Sequence, residues 1–572
     1  MISIKSQLKS LFFLLITIFT TNCTSQTADT IFMGGNIYTV NENKGKMEAV
    51  AIKDGQIMYA GTTEEATKLK GSKTQVIDLN GKTMIPGFID SHGHFMGMGY
   101  SKLILDLTQV ETYAEIITMV EEAVEKAKPG EWIIGRGWHQ DKWNDSKEGF
   151  LYGFPTHEEL SAVSPKNPVV LRHASGHSEL VNEKAMELAG ISKSSLNEMK
   201  KNLSGGEIMS DENGNPTGIL NESAMQLVGS KMPSDNDPKM AYKIIDLALQ
   251  ECRKNGVTGF HDAGTGQSAI DLYNEYKNKG KLTVRMHVML RNDSTLLNNW
   301  FENGPVIDSV DHLLNVRSIK LVSDGALGNR GAWLLEDYSD KAGWRGLETT
   351  PVEQMQQVAL DALQYGFQVG THAIGDRGNK EVLDIYEKAF KAYPQKKDPR
   401  FRIEHAQHLN LEDIPRFAEL GVIASMQTIH MASDRPWAID RLGEKRIEEG
   451  AYVWQKLLKT GAMIINGTDV PVEPINPLAG FYAAITRKTL KGLPEGGYEA
   501  EQKMSRDEAL KSYTLSGAYG SFEEDIKGTI EKGKLADFAI LDKDIMTIPE
   551  EDILLTKVVM TVLGGEVIYS AE

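Results

Sequence analysis

Eight short apolar, β-rich runs recur along the body of this chain, at 84–90, 256–262, 282–290, 318–322, 367–371, 401–404, 421–427 and 463–468. Stretches of helical periodicity, such as 352–365 and 381–393, fall between several of them. Strands of this kind that alternate with helices close most economically as a parallel (β/α)8 barrel, a TIM-like α/β fold. The C-terminal ends of such strands meet at one mouth, so side chains far apart in sequence converge there. Six candidate ligands sit within or just beyond these runs: His92, His94, Lys320, His372, His405 and Asp469. Imidazole and carboxylate suit zinc and neighbouring transition metals, and the expectation is a metal-dependent hydrolase.

His92-Gly93-His94 places two imidazoles on the same side of an extended segment, because side-chain direction repeats every second residue. Both can therefore serve one ion. An unmodified lysine, with a pKa of about 10.4, would be a repelling cation beside metal ions, which makes Lys320 the anomalous member of the set.

The 572 residues, 41% hydrophobic and 25% charged, have room for a barrel and a smaller domain. The segments 27–84 and 526–572 carry short β-rich runs and turn residues, including an Asp54-Gly55 hairpin signal and a run at 528–530. Together they predict a composite β-sandwich flanking a barrel at 85–525. Far more chain separates the first two barrel strands than one crossover needs, so the insertion at about 95–251 is read as a cap over the mouth.

At the start, Lys5 and Lys9 precede an apolar run at 11–19, and Cys23 follows. The run is shorter than the ~20 apolar residues of a membrane-spanning helix, and segment 1–23 reads as a signal peptide of lipoprotein type. The expectation is an exported bacterial protein, lipidated at Cys23, held to the membrane only by that anchor and facing the periplasm or cell surface. Thr20 and Asn22 depart from the usual lipoprotein box, so a plain cleaved signal is the alternative. Cys252 is the other cysteine, which excludes a disulfide framework and reads as a small buried helix residue. A net charge of −17 argues against nucleic acid as a partner. Neither a Gly-x-Ser-x-Gly elbow nor a phosphate-binding Gly-x-x-x-x-Gly-Lys-Ser/Thr loop occurs.

The run from Ile85-Pro86-Gly87-Phe88-Ile89-Asp90 to Ser91-His92-Gly93-His94 resembles the amidohydrolase superfamily, in the branch called amidohydrolase family 3, which includes N-substituted formamide deformylases. Lys320-Leu321-Val322-Ser323-Asp324-Gly325, Thr371-His372-Ala373-Ile374-Gly375-Asp376, Arg402-Ile403-Glu404-His405, Asn466-Gly467-Thr468-Asp469 and Gly533-Lys534-Leu535-Ala536-Asp537-Phe538 carry the resemblance through nearly the whole chain. It implies two divalent ions, zinc by ligand type, bridged by a Lys320 carboxylated with CO2. The alternative is a lysine ammonium beside a single ion. The resemblance further implies that a metal-activated hydroxide attacks the substrate, with Asp469 as both ligand and proton shuttle.

His173 and His177 resemble family residues near the substrate, while Trp138, His139 and Trp143 are candidates to line the pocket. Arg330 is a candidate to orient a substrate carbonyl or carboxylate. His261 and Asp262 fit barrel packing or support of the ligands. The implied reaction is hydrolysis of a C–N bond in a small amide, N-acyl or formamide-type substrate. A deaminase or cyclic-amide hydrolase, and a catalytically silent surface-anchored binding protein, are the rivals. A homo-oligomer is compatible with all three readings.

Overall fold

The structure, a computed structural model, describes residues 27–41, 45–108, 110–144, 149–232 and 238–571. Segment 1–23, with Cys23, lies outside the described residues. Strands Phe88–Gly93 (β1), Val257–Thr265 (β2), Arg285–Arg291 (β3), Leu314–Val322 (β4), Gln368–Ala373 (β5), Arg402–His405 (β6), Ile423–Met426 (β7) and Ile464–Asn466 (β8) form one eight-stranded parallel sheet in chain order. Strands β1 and β5 to β8 are buried along their whole length, as parallel strands covered on both faces must be. The sheet is nearly closed: at the mouth Asp469 N donates to His92 O, and His94 N to Val470 O, each at 2.7 Å.

Helices cover the outside of the barrel. In Val352–Tyr365 the buried residues Met355, Val358, Ala359, Ala362 and Leu363 repeat at helical spacing, and Gly366 ends the helix in the left-handed conformation at φ 86°. The next helix, Asp376–Ala392, begins earlier than 381 because its first turn is anchored: Asp376 Oδ1 accepts from Leu335 N and Arg377 N. Helix Pro238–Lys254 buries Ile245, Ala248, Leu249 and Cys252 in the barrel's own core.

The first apolar run divides between two sheets. Thr83–Pro86 pairs antiparallel with Phe538–Leu541, and β1 begins only after Gly87. A Cβ on Gly87 would meet the Thr258 hydroxyl at 2.1 Å, so only glycine lets the chain step across there. Thr83–Pro86 belongs to an eight-stranded sheet shared by both ends of the chain, which also contains Thr30–Tyr38, Lys46–Lys53, Gln56–Gly61, Gln75–Asp78, Val558–Leu563 and Glu566–Ser570. The hairpin at Asp54 and Gly55 forms with φ of 50° and 76°, the left-handed pair that such a two-residue turn requires. Residues 528–530 are not a strand: Gly528 sits at φ 88° and Ile530 N donates to Thr39 O, which makes the segment an anchored loop.

Between β1 and β2 lies a six-stranded sheet ordered Gly206–Ser210, Pro216–Glu222, Ser178–Val181, Val169–His173, Ile133–Trp138 and Leu105–Asp106. It packs two apolar clusters separate from that of the barrel.

Candidate metal centre

All six candidate ligands reach the barrel mouth. His92, on β1, is fully buried, and its Nδ1 lies 2.5 Å from Glu404 Oε2. A carboxylate there can only accept, so Nδ1 carries the proton and Nε2 keeps its lone pair. Nε2 lies 3.1 Å from Lys320 Nζ and 3.7 Å from Asp469 Oδ1. His94, half-exposed to the cleft, donates from Nδ1 to Ala263 O at 3.0 Å, so in the neutral ring Nε2 is the nitrogen left to ligate. His405 donates from Nδ1 to Gln427 Oε1 at 2.7 Å. Gln427 Nε2 donates to Ser425 O, which fixes the orientation of that amide. His372 presents Nε2 to Asp324 Oδ1 at 3.4 Å, and its ring centroid is 4.5 Å from that of His405.

Asp469 follows β8 in a left-handed backbone conformation, φ 58°, and His405 ends β6 at φ 76°. Such conformations are costly for residues other than glycine, and here they turn both side chains into the mouth. Among the described residues the buried Asp469 Oδ1 has no hydrogen-bond donor, and it sits 3.2 Å from His94 Nε2, a lone-pair atom in the neutral imidazole. Two acceptors facing each other at that distance call for a cation between or beside them. One ligand atom each from His92, His405 and Asp469 lie within 4.8 Å of one another, and all three residues are buried. The donor set therefore fits a divalent transition metal, with His94 joined through Asp469, Lys320 through His92 and His372 through His405. Burial drives the His92 imidazolium down to about 4, helped by Lys320 and opposed by Glu404. Burial likewise brings the Lys320 ammonium down to about 8.

The mouth opens into a cleft of about 630 Å3. His177 lines it, with Nδ1 2.8 Å from Glu222 Oε2. His139 lines a smaller hollow beside it, together with His372, His405 and Asp469. The other expectations for the pocket lie elsewhere. Trp138 is fully buried in the inserted domain and donates Nε1–H to Leu171 O, one residue out of phase with His139 on an extended segment. Trp143 packs in the same cluster. His173 is buried between Gln140 Oε1 and Ser175 Oγ. Arg330 is engaged by both oxygens of Asp340, at 3.2 and 2.9 Å, so its charge is already matched away from the cleft. His261 supports the barrel interior, 2.9 Å from Arg402 Nη1.

Glu404, Arg402 and Gln427 are the residues that sequence reasoning passed over. Arg402 Nη2 donates to Glu404 Oε2 at 2.9 Å and to Ser91 O at 2.6 Å, and both side chains are fully buried. The signal was present in Arg402-Ile403-Glu404: two charges at period two inside an apolar strand face the same interior and need partners.

Comparisons with known proteins agree with this geometry. The model of the amidohydrolase family matches residues 75–569. The chain is 31% identical to YtcJ of Bacillus subtilis (strain 168), over 94% of this chain and 99% of that one. It is 25% identical to the N-substituted formamide deformylase of Arthrobacter pascens, over 95% and 99%. The crystal structure of an uncharacterized metal-dependent hydrolase from Pyrococcus horikoshii OT3 superposes with a TM-score of 0.71 at 28% identity, covering 91% of this chain and 99% of that one.

Proposed function

The chain belongs to the amidohydrolase family, and from that premise we propose that it is an exported metal-dependent hydrolase that cleaves the C–N bond of a small amide, N-acyl or formamide-type substrate. The observation that carries the reading is the buried group of His92, His405 and Asp469, with one ligand atom of each within 4.8 Å of the others, while Glu404 and Gln427 hold His92 and His405 through Nδ1.

In this reading His92, His94 and Asp469 would hold one cation and His372 and His405 a second, with Lys320 contributing to both. Zinc is favoured by ligand type, and carboxylation would convert Lys320 from a repelling cation into a bridging anion. When bound, a divalent cation supplies Lewis acidity and lowers the pKa of water. Asp469 is the chain's own acid–base group: it takes a proton from the attacking water and returns it to the leaving nitrogen as the C–N bond breaks. Ligation to a cation, rather than a proton on a neighbouring imidazole, would keep its carboxylate ionised, in the accepting state. Glu404 and Gln427 keep the imidazoles in the required tautomer.

The inserted sheet, which contributes His177 to the cleft, is read as its cap, and the sheet shared by the two ends as a composite β-sandwich. Export rests on the signal-like segment 1–23, with a lipid anchor at Cys23 and no nucleic-acid partner. Elemental mass spectrometry on gently purified protein, followed by amine release from a panel of N-acyl and N-formyl compounds, tests the proposal. One or two transition-metal ions per chain, with turnover lost in Asp469→Asn, is the expected result. No retained metal and no turnover after zinc and bicarbonate are supplied would replace the hydrolase with a binding protein.

A further inference from the structure

Two arginines of the inserted sheet face the same cleft as the metal-centre residues, and neither is neutralised. Arg136 and Arg172 are register partners on the adjacent parallel strands Ile133–Trp138 and Val169–His173, so their side chains leave the same face of the sheet. Both line the cleft together with His92, Lys320 and Asp469. Among the described residues Arg136 is held only by uncharged acceptors: Nη2 donates to Ala174 O at 3.0 Å and Nε to Pro471 O at 3.4 Å. Pro471 stands two residues beyond Asp469, which ties the guanidinium to the metal centre. The Arg172 guanidinium has no hydrogen bond or ion pair among the described residues.

Two like charges side by side at the wall of a low-dielectric cleft repel unless an anion joins them. Burial and the neighbouring Arg172 together bring Arg136 down to about 10. The carboxyls nearby do not meet the need. Glu179 is the cross-strand partner of Arg172, yet burial pushes its carboxyl up to about 7, so its compensation is partial. Glu222 also lines the cleft, but its oxygens are taken by His177 Nδ1 and Asn329 Nδ2, at 2.8 and 3.1 Å. Arg291, which also lines the cleft, adds a third positive charge. The excess is cationic, and paired guanidinium forks match the geometry of a carboxylate.

We propose that Arg136 and Arg172 bind a carboxylate of the substrate, so that the preferred substrates are amides bearing a free carboxylate, such as N-acyl amino acids. The turnover half of this inference rests on the hydrolase reading above; the anion-binding half does not. The test uses the full metal-loaded chain and compares kcat/KM for N-formyl and N-acetyl amino acids with that for their carboxamides, in the wild type, R136Q, R172Q and R172K. Calorimetry with N-acetylglycine on D469N, with and without R172Q, reads binding without turnover.

A wild-type preference for the acids is expected, with the acid-to-amide ratio falling roughly 10- to 100-fold in R172Q through a rise in KM and partly kept in R172K. Thermal melting checks that each variant is folded. Equal rates on acids and amides in the wild type, or an unchanged ratio in both R136Q and R172Q, overturns the clamp while leaving the hydrolase. N-Acetylglycine binding that disappears in R172Q, without turnover of any compound, keeps the clamp and overturns the hydrolase. Neither binding nor turnover overturns both.

Discussion

His92 Nδ1 and Glu404 Oε2 lie 2.5 Å apart with both side chains fully removed from solvent, although 312 residues separate them in the chain. The contact fixes the proton of His92 on the nitrogen that faces away from Lys320 and Asp469, so the mouth receives a lone pair. Arg402 matches the charge of Glu404, with nitrogens 2.9 and 2.7 Å from its two oxygens, so orienting His92 leaves no buried ion alone.

Glu404→Gln keeps the shape of this contact and removes its charge. Metal affinity should fall about 10- to 100-fold, the usual effect of losing a partner that orients a ligating histidine. Competition with a graded chelator, read by elemental analysis, checks it. Wild-type retention of metal in Glu404→Gln would show that the contact serves Arg402 and the barrel core rather than the ligand.

Asp469 occupies the left-handed region at φ 58°, where asparagine is also comfortable. Asp469→Asn should therefore leave thermal stability close to wild type and lower kcat by about 10³-fold or more, because the amide cannot take the proton of water. Turnover near the wild-type rate would remove Asp469 from the role of proton shuttle.

The convergence of the six candidate ligands was legible because each stands at or just past the end of a strand, and a parallel barrel turns that one-dimensional property into a shared mouth. What feeds the cleft from the insertion was harder to read. Trp138 and His139 differ by one residue, and one residue of phase sends the first into the insertion's core and the second to the hollow beside the metal centre. Arg136 and Arg172 acquire meaning only through the register that pairs them, and no local pattern announces a parallel register across the chain between two strands. The role of Gly87 as a step between sheets depends on the distant Thr258 side chain. Arg330 looked free because its partner Asp340 lies ten residues on, in a loop with no periodic signal.

Lys320 is buried against His92, in the field of Glu404 and Asp469. Lys320→Ala should cut the metal content, and a short carboxylic acid such as acetate should restore part of it by occupying the vacated space as an anion. Metal per chain is the readout, with propylamine as the cationic control. Unchanged metal loading, or rescue by the amine instead of the acid, would reject a bridging carboxylated lysine in favour of an ordinary ammonium.

Arg285 at the start of β3 and Asp537 beside the shared terminal sheet form a two-pronged ion pair, Nε to Oδ2 at 2.7 Å and Nη2 to Oδ1 at 2.9 Å, both buried. Gly564 N donates to the same Oδ1. Burial alone would raise the Asp537 carboxyl, but the charge of Arg285 and its hydrogen bonds outweigh it and hold the group below its ordinary 3.8. A carboxyl depressed on folding stabilises the folded state fully above its unfolded pKa, and that contribution fades as pH falls through the lower folded value. Asp537→Asn leaves Arg285 buried without a full counter-charge, a loss of about 3 kcal/mol. The gap in urea midpoint between wild type and Asp537→Asn should therefore be constant from neutral pH down to about 5 and narrow once pH drops below about 4. A gap that stays as wide at the acid end would mean that the pair contributes through packing and the Gly564 contact rather than through charge.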